Sequence, residues 1–273
     1  MKKQILMVLC ITALGAVTAS AQQPWEEADL GITLDGTFAG KYMWRGFDVY
    51  YNDDPAFQPS INFDIFDSGF SFNVWGSTAL DNRDDHEELD EVDYTLAYGF
   101  TLFPDDPYAM EVSLNFIYYA YPQLHGTSGD VLELGGGISM PNLFPIGESA
   151  IVPSYYGAWL HEADEDEEIG PLGGGYHQFA LGYDWLVPAL IAEQETQAIS
   201  FTADIHYTDG YFDLDADFTH STVGVSTSFE YKGFAVSPAV NYQFTFDDDD
   251  ENAINDEDEF WATLSVSYSF NLF

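Results

Sequence analysis

The sequence predicts an all-β fold, a transmembrane antiparallel up-and-down β-barrel of 12 strands with a cleaved N-terminal signal peptide. Three observations predict it. The stretch Phe260 to Phe273 (FWATLSVSYSFNLF) alternates apolar and small polar residues along its whole length. Period 2 puts Phe260, Ala262, Leu264, Val266, Tyr268, Phe270 and Leu272 on one face, as a strand between lipid and water requires. Eleven further segments repeat this pattern, and the connections between them alternate between short turns and longer polar loops.

Residues 1–21 read as the signal peptide. Lys2 and Lys3 precede an uncharged, largely apolar run from Ile5 to Val17, and Ala19-Ser20-Ala21 supplies the small-residue cleavage site. The run falls short of the roughly 18 apolar residues that a spanning helix needs. Cys10 lies inside it after Leu9, where a lipidation motif would place a small residue, so residues 22–273 form a barrel domain without cysteine. Disulfides, thiol nucleophiles and thiolate metal sites are thereby excluded, and no cofactor is expected.

The strands expected in order are Gly31 to Trp44, Phe57 to Phe66, Phe70 to Leu80, Val92 to Leu102, Tyr108 to Tyr121, Val131 to Met140, Ala150 to His161, Gly175 to Leu186, Gln197 to Tyr207, Phe218 to Tyr231, Phe234 to Phe246 and Phe260 to Phe273. Asp67-Ser68-Gly69, Pro104 to Pro107, Pro141 to Ser149, Pro188 to Thr196 and Lys232-Gly233 are the short turns. An even count with short turns on the periplasmic side places both termini in the periplasm of a bacterium and the protein in its outer membrane. Lipid, lipopolysaccharide and the barrel-insertion machinery are the expected partners. Recognition by that machinery through Phe273 is not clean, because the apolar stripe runs through Phe270 and Leu272 and leaves Asn271 third from the end.

Acidity is extreme, with 47 Asp and Glu against 6 Lys and Arg and a net charge of -41. Such a surface repels phosphates, which excludes nucleic acid as a partner. Disordered chains share the charge but lack aromatics, which here make up 17% of residues. Much of the acid sits in loops, with seven carboxylates from Asp81 to Glu91, six from Glu162 to Glu168 and nine from Asp247 to Glu259. A solvated rim is one reading and divalent-cation binding by oxygen-rich clusters the other. No segment defines a metal site, since Phe218 stands where a calcium loop beginning at Asp213 would need its turn glycine.

Strand phase assigns the lumen. Asp35, Lys41 and Arg45 on the first strand, Asp64 on the second, Asp93 and Glu111 on the fourth and fifth, and then Glu133, Asp184, Asp204, His206 and Glu230 are expected to line a pore. Tyr42 shares the lipid-facing phase of Ile32, Leu34 and Phe38, and the seventh strand, with Pro153 and Tyr155-Tyr156, shows no clear phase. Eight inward acids against two inward bases favour cations and disfavour anions. Pairing of Lys41 and Arg45 with carboxylates could equally plug the lumen, and 12 strands lie between a filled barrel and an open one.

The segment from Lys41 to Ser77 carries a further pattern: Tyr42-x-Trp44-Arg45-Gly46, then Pro55-Ala56-x-Gln58, then Ser68-Gly69-Phe70 and Trp75-x-Ser77. In this the chain resembles the Gcw-chp family of bacterial outer-membrane proteins over about 37 residues. The resemblance implies an outer-membrane barrel and supplies no reaction. Read physically, Tyr42 and Trp44 would anchor at the membrane interface, Arg45 would reach Asp93 or Asp204 across the mouth, and Gly46 would turn the chain into its loop.

Enzymatic readings fare poorly. Asp204 and His206, two apart on one face, resemble the Asp-His half of omptin proteases, but those have ten strands and a second carboxylate pair. His220 and Ser221 point to opposite faces, which a barrel phospholipase could not use. Gly135 to Gly137 and Gly173 to Gly175 lack the Lys-Ser/Thr of a phosphate loop and are expected to relieve crowding inside the barrel or to loosen a loop. Two readings survive: a narrow porin-like channel for small polar or cationic solutes, and a non-conducting barrel whose acidic outer loops bind a partner, divalent cations or a surface polymer.

Overall fold

The computed structural model describes residues 29–124, 129–163, 173–191, 194, 196–210, 214–246 and 257–272. The signal peptide with its cut after Ala21, Cys10, Asp213, Phe273 and most of the two acidic loops at 162–168 and 247–259 lie outside the described residues.

Twelve strands form the wall: Leu30–Ala39, Ala56–Ile65, Phe70–Ala79, Glu91–Leu102, Met110–Ala120 and Val131–Ser139, then Ser149–Glu162, Gly174–Pro188, Thr196–Asp209, Phe218–Thr227, Phe234–Thr245 and Glu259–Leu272. Each pairs antiparallel with the next, and the twelfth returns to the first with Leu30 opposite Leu272 and Ala39 opposite Thr263. The sheet therefore closes on itself and has no unpaired edge, which is the condition for a sheet to cross a bilayer. Among the described residues no helix is long and apolar enough to cross a membrane. The crossing is made by strands.

The outer face is apolar and open. Leu34, Phe38, Leu96, Leu134, Trp159, Trp185, Val240 and Leu264 all expose more than a third of their surface, and Leu134 reaches 69%. A water-soluble chain would bury such a belt; here it faces lipid. The opposite parity carries the buried polar residues, among them Gln58, Ser71, Asn115, Glu133, Gln178, Ser200, His206, His220 and Gln243. This is an integral outer-membrane type of barrel.

Two strands differ from the sequence expectation. The first stops at Ala39 instead of running to Trp44, and the tenth breaks after Thr227 to resume as the short strand Phe229–Tyr231. The seventh, without legible phase, turns Tyr156, Ala158 and Leu160 inward and Trp159 outward. Short connections sit at one end, called here the turn end, together with Leu30 and Leu272. The long connections, including residues 40–55 and 80–90, cap the other, the loop end.

Candidate functional site

The first long connection builds the site. Met43–Trp44 pairs with Phe47–Asp48, with Trp44 opposite Phe47, so Arg45 and Gly46 form a two-residue hairpin turn. Both have positive φ, 51° and 99°, as the tight turn matching strand twist requires. Gly46 adopts that region freely, whereas for Arg45 it costs about 1–2 kcal/mol. The Arg45 side chain supplies the compensation.

Arg45 Nη2 donates to Glu133 Oε2 at 2.6 Å, across 88 residues of sequence. Glu133, on the sixth strand and only 1% exposed, also accepts the hydroxyls of Tyr119, at 2.9 Å, and Tyr156. The guanidinium lies 4.1 Å from the Tyr176 ring centroid and 5.1 Å from that of Trp44. A buried charge needs this much company, since desolvation would otherwise outweigh the attraction. On the other side, the Gly46 carbonyl accepts from Gln243 Nε2, on the eleventh strand, at 3.0 Å. Strands six and eleven lie nearly opposite in a 12-strand ring, so the hairpin tip forms a strap across the lumen.

Beside the strap, Ile117, Tyr119, Val131, Tyr156, Ala158, Leu160 and Tyr176 pack into an apolar cluster, with Trp44 and Phe47 against it. Tyr156 fits because the wall opposite is bare: a Cβ on Gly135 would lie 2.1 Å from its hydroxyl. The Gly135 to Gly137 run thus clears room inside the barrel. What remains is a cavity of about 250 Å³ roofed by Met43, Arg45 and Gly46 and walled by strands seven to twelve and one to three.

Toward the turn end the lumen is lined by small residues. Gly and Ser hold the inward positions Gly99, Ser139, Gly182, Ser226 and Ser267, and Asp64 and Glu111 there are exposed to water. Asp35 accepts from Thr37, Asp184 from Ser200 at 2.7 Å, and Glu111 from Ser139 at 3.1 Å. Glu230 keeps inward register opposite Ala235 but stands exposed at the rim. The structure does not bring these acids together; it spreads them around the turn half.

Several motif residues sit elsewhere than phase implied. Tyr42 is not at the lipid interface: only 2% exposed, it packs 5.5 Å from Trp75 and from Tyr50 and donates to Glu91 Oε2 at 2.7 Å. Parity counted from Leu30 fails beyond Ala39 because the strand has ended. Trp44 likewise turns inward, edge-on to Tyr119. Arg45 takes Glu133 rather than Asp93 or Asp204. Pro55 accepts the Leu80 amide at 2.7 Å, which closes the loop base. Asp93 follows Glu91 along the inner face of the fourth strand, with one carboxylate oxygen buried without a hydrogen-bond partner.

Asp204 and His206 do meet. His206 Nε2 lies 2.7 Å from Asp204 Oδ1, its Nδ1 accepts the Tyr176 hydroxyl, and its ring stacks on His220 with centroids 3.9 Å apart. Asp204 further accepts from the Thr222 amide at 2.9 Å and from Gln178 at 3.1 Å. Both ring nitrogens are engaged, so the pair is built to be still and has no free base to offer a substrate.

At the loop rim Lys41 pairs with Asp53 and Glu259. Burial alone would lower its pKa, but the hydrogen bonds to those carboxylates outweigh it and raise it. Burial raises the Asp48 carboxyl beside them. Carboxylate oxygens of Asp48, Asp53 and Glu259 lie within 4.8 Å of one another, an arrangement that could hold a cation and whose charge Lys41 offsets in part. A second clip ties the first two loops: Asn82 and His86 both reach Asp54 and hold its carboxyl below the usual range.

Sequence reasoning missed Glu91, counted among loop acids, and the inward Tyr119, Tyr156 and Tyr176. Tyrosine on an otherwise polar parity was the available signal, since its hydroxyl suits a buried network.

No family model matches the chain, and no curated protein matches it by sequence. Among solved structures it is similar to the NanC porin, at 8% identity and TM-score 0.49 over 87% of this chain and 98% of that one. It is similar also to the KdgM porin in complex with disordered oligogalacturonate, at 10% identity and TM-score 0.46 over 88% and 99%. Pseudomonas aeruginosa OccK5 follows at 10% and 0.37 over 90% and 68%. At these values the barrel architecture rests on the chain's own strand pairing.

Proposed function

We propose that the protein is a narrow porin-like channel of the bacterial outer membrane, passing small polar or cationic solutes and constricted by its own first loop. The observation that carries this reading is the strap: Arg45 on Glu133 and Gly46 on Gln243 span the lumen, leaving a cavity below the strap and a small-residue vestibule toward the turn end. A loop held across a barrel sets the size limit of what passes.

Cation preference follows from the charge balance. Lys41 and Arg45 are committed to Glu259, Asp53 and Glu133, while among the described residues Asp35, Asp64, Glu111 and Asp184 face the lumen without an ion pair to a base. In this reading the turn end and both termini are periplasmic, and the acidic loops concentrate cations outside, near lipopolysaccharide. The motif of Tyr42 to Gly46, shared with the Gcw-chp pattern, would then be the device that builds the strap. Insertion machinery and divalent cations are partners of the same proposal.

Reversal potentials in a planar bilayer under a potassium chloride gradient test it. Cation preference is expected, and anion preference would overturn it. The apolar cluster around Ile117 and Tyr119 favours a second reading, a closed barrel acting through its loops. Absence of current from correctly folded protein would support that one.

A further inference from the structure

The cavity wall is organised in a way that small-ion selectivity does not require. Thr202, Gly224, Asn241 and Trp261 stand on four successive strands as direct register partners, one row across the inner face. Gly224 has no positive φ, so its backbone does not call for glycine. Space does: a Cβ there would lie 2.6 Å from both Thr202 Oγ1 and Asn241 Oδ1. The missing side chain lets the Thr202 hydroxyl and the Asn241 amide oxygen lean over Gly224 at the edge of a niche in the cavity that Trp261 also lines.

The groups facing this niche are neutral and uncommitted. Gln58, only 8% exposed, lines the cavity, and neither it nor Thr202, Asn241 or Thr263 makes a side-chain hydrogen bond to another described residue. The charged groups nearby are already paired, Arg45 with Glu133, and Asp204 with His206, Gln178 and the Thr222 amide. Among the described lining residues a cation would find no carboxylate without a partner, and an anion no guanidinium outside an ion pair. Free amides and hydroxyls around an aromatic face suit a ligand that is neutral, rich in hydroxyls and has one apolar face.

We propose that this niche is a binding site for a neutral sugar ring, seated against Trp261 with its hydroxyls shared among Thr202, Asn241, Gln58 and Thr263. At about 250 Å³ the cavity lies near the small end of ligand sites and admits one ring at a time. This deepens the channel reading and rests on it, by naming neutral saccharides as a solute class. Inward carboxylates at the turn end would make uronates poor ligands.

The test is current block in a planar bilayer together with tryptophan fluorescence of the purified barrel, using glucose, maltose and glucuronate. Saturable block by glucose and maltose is expected, with glucuronate much weaker. Gly224→Val, which pushes the Thr202 hydroxyl and Asn241 amide aside, and Asn241→Leu, which removes that amide, should each raise the half-blocking sugar concentration roughly tenfold relative to that variant's own open current. Heat-modifiable migration confirms folding, and if one variant fails it the other is read. Current without block and without fluorescence change overturns the site and leaves the channel. A sugar-dependent fluorescence change lost in Gly224→Val, with no current, supports the site and overturns the channel. Glucuronate acting as well as glucose, or variants matching the parent, overturns the site.

Discussion

Arg45 and Glu133 hold each other at 2.6 Å inside the barrel, 88 residues apart in sequence and both almost fully buried. Removing one partner strands the other charge in a water-poor site, so Arg45→Met or Glu133→Gln alone is expected to cost about 3–5 kcal/mol. The double variant should cost less than the sum of the two. Urea unfolding in detergent measures this, and additive losses would show that the pair is not a unit.

Gln243 holds the opposite end of the strap through one hydrogen bond to the Gly46 carbonyl. Gln243→Ala should lower stability by only about 1 kcal/mol. Its single-channel records should nevertheless become noisy, because a strap anchored on one side can swing. A trace as quiet as the parent's would deny the strap its second anchor.

Gly135 makes room for Tyr156, whose hydroxyl would lie 2.1 Å from an added Cβ. Gly135→Ala therefore forces the ring off Glu133, at a cost of about 1–3 kcal/mol. Tyr156→Ala should therefore cost less stability in the Gly135→Ala background than in the parent. Unfolding midpoints of the four proteins decide it, and a neutral Gly135→Ala would refute the packing.

The clip between the first two loops should respond to acid in one direction. The Asn82 amide first, and then His86, hold the Asp54 carboxyl below its ordinary value of about 3.9. A depressed carboxylate stabilises fully above the ordinary value and loses that contribution as pH falls through the lower folded one. A fluorophore on Asp85→Cys should keep its anisotropy down to about pH 4 and lose it below. With Asp54→Asn added, anisotropy should be low throughout. Loss already near neutrality would contradict the clip.

Strand number and lumen parity were legible because a barrel wall is periodic, and side chains within each strand obey period 2. Leu34 and Phe38 face outward and Asp35 and Thr37 inward as that rule requires. The rule expires where a strand does. Past Ala39 the chain bends into the hairpin, and Tyr42 and Trp44, given to the membrane interface by counting, turn into the lumen. The partner of Arg45 was illegible for another reason: Glu133, Asp93 and Asp204 are alike in type, and only the folded strap selects among them. Tyr156 escaped because Tyr155 and Tyr156 are identical neighbours, and the glycines that admit one of them lie on the adjacent strand.

The strap is tested most directly by single-channel conductance of the parent beside a chain in which residues 42–49 are replaced by a short flexible linker, each shown to be folded by heat-modifiable migration. The strap predicts small, cation-preferring steps from the parent and distinctly larger steps once it is removed. Equal conductance from the two proteins, or none from either, would contradict it.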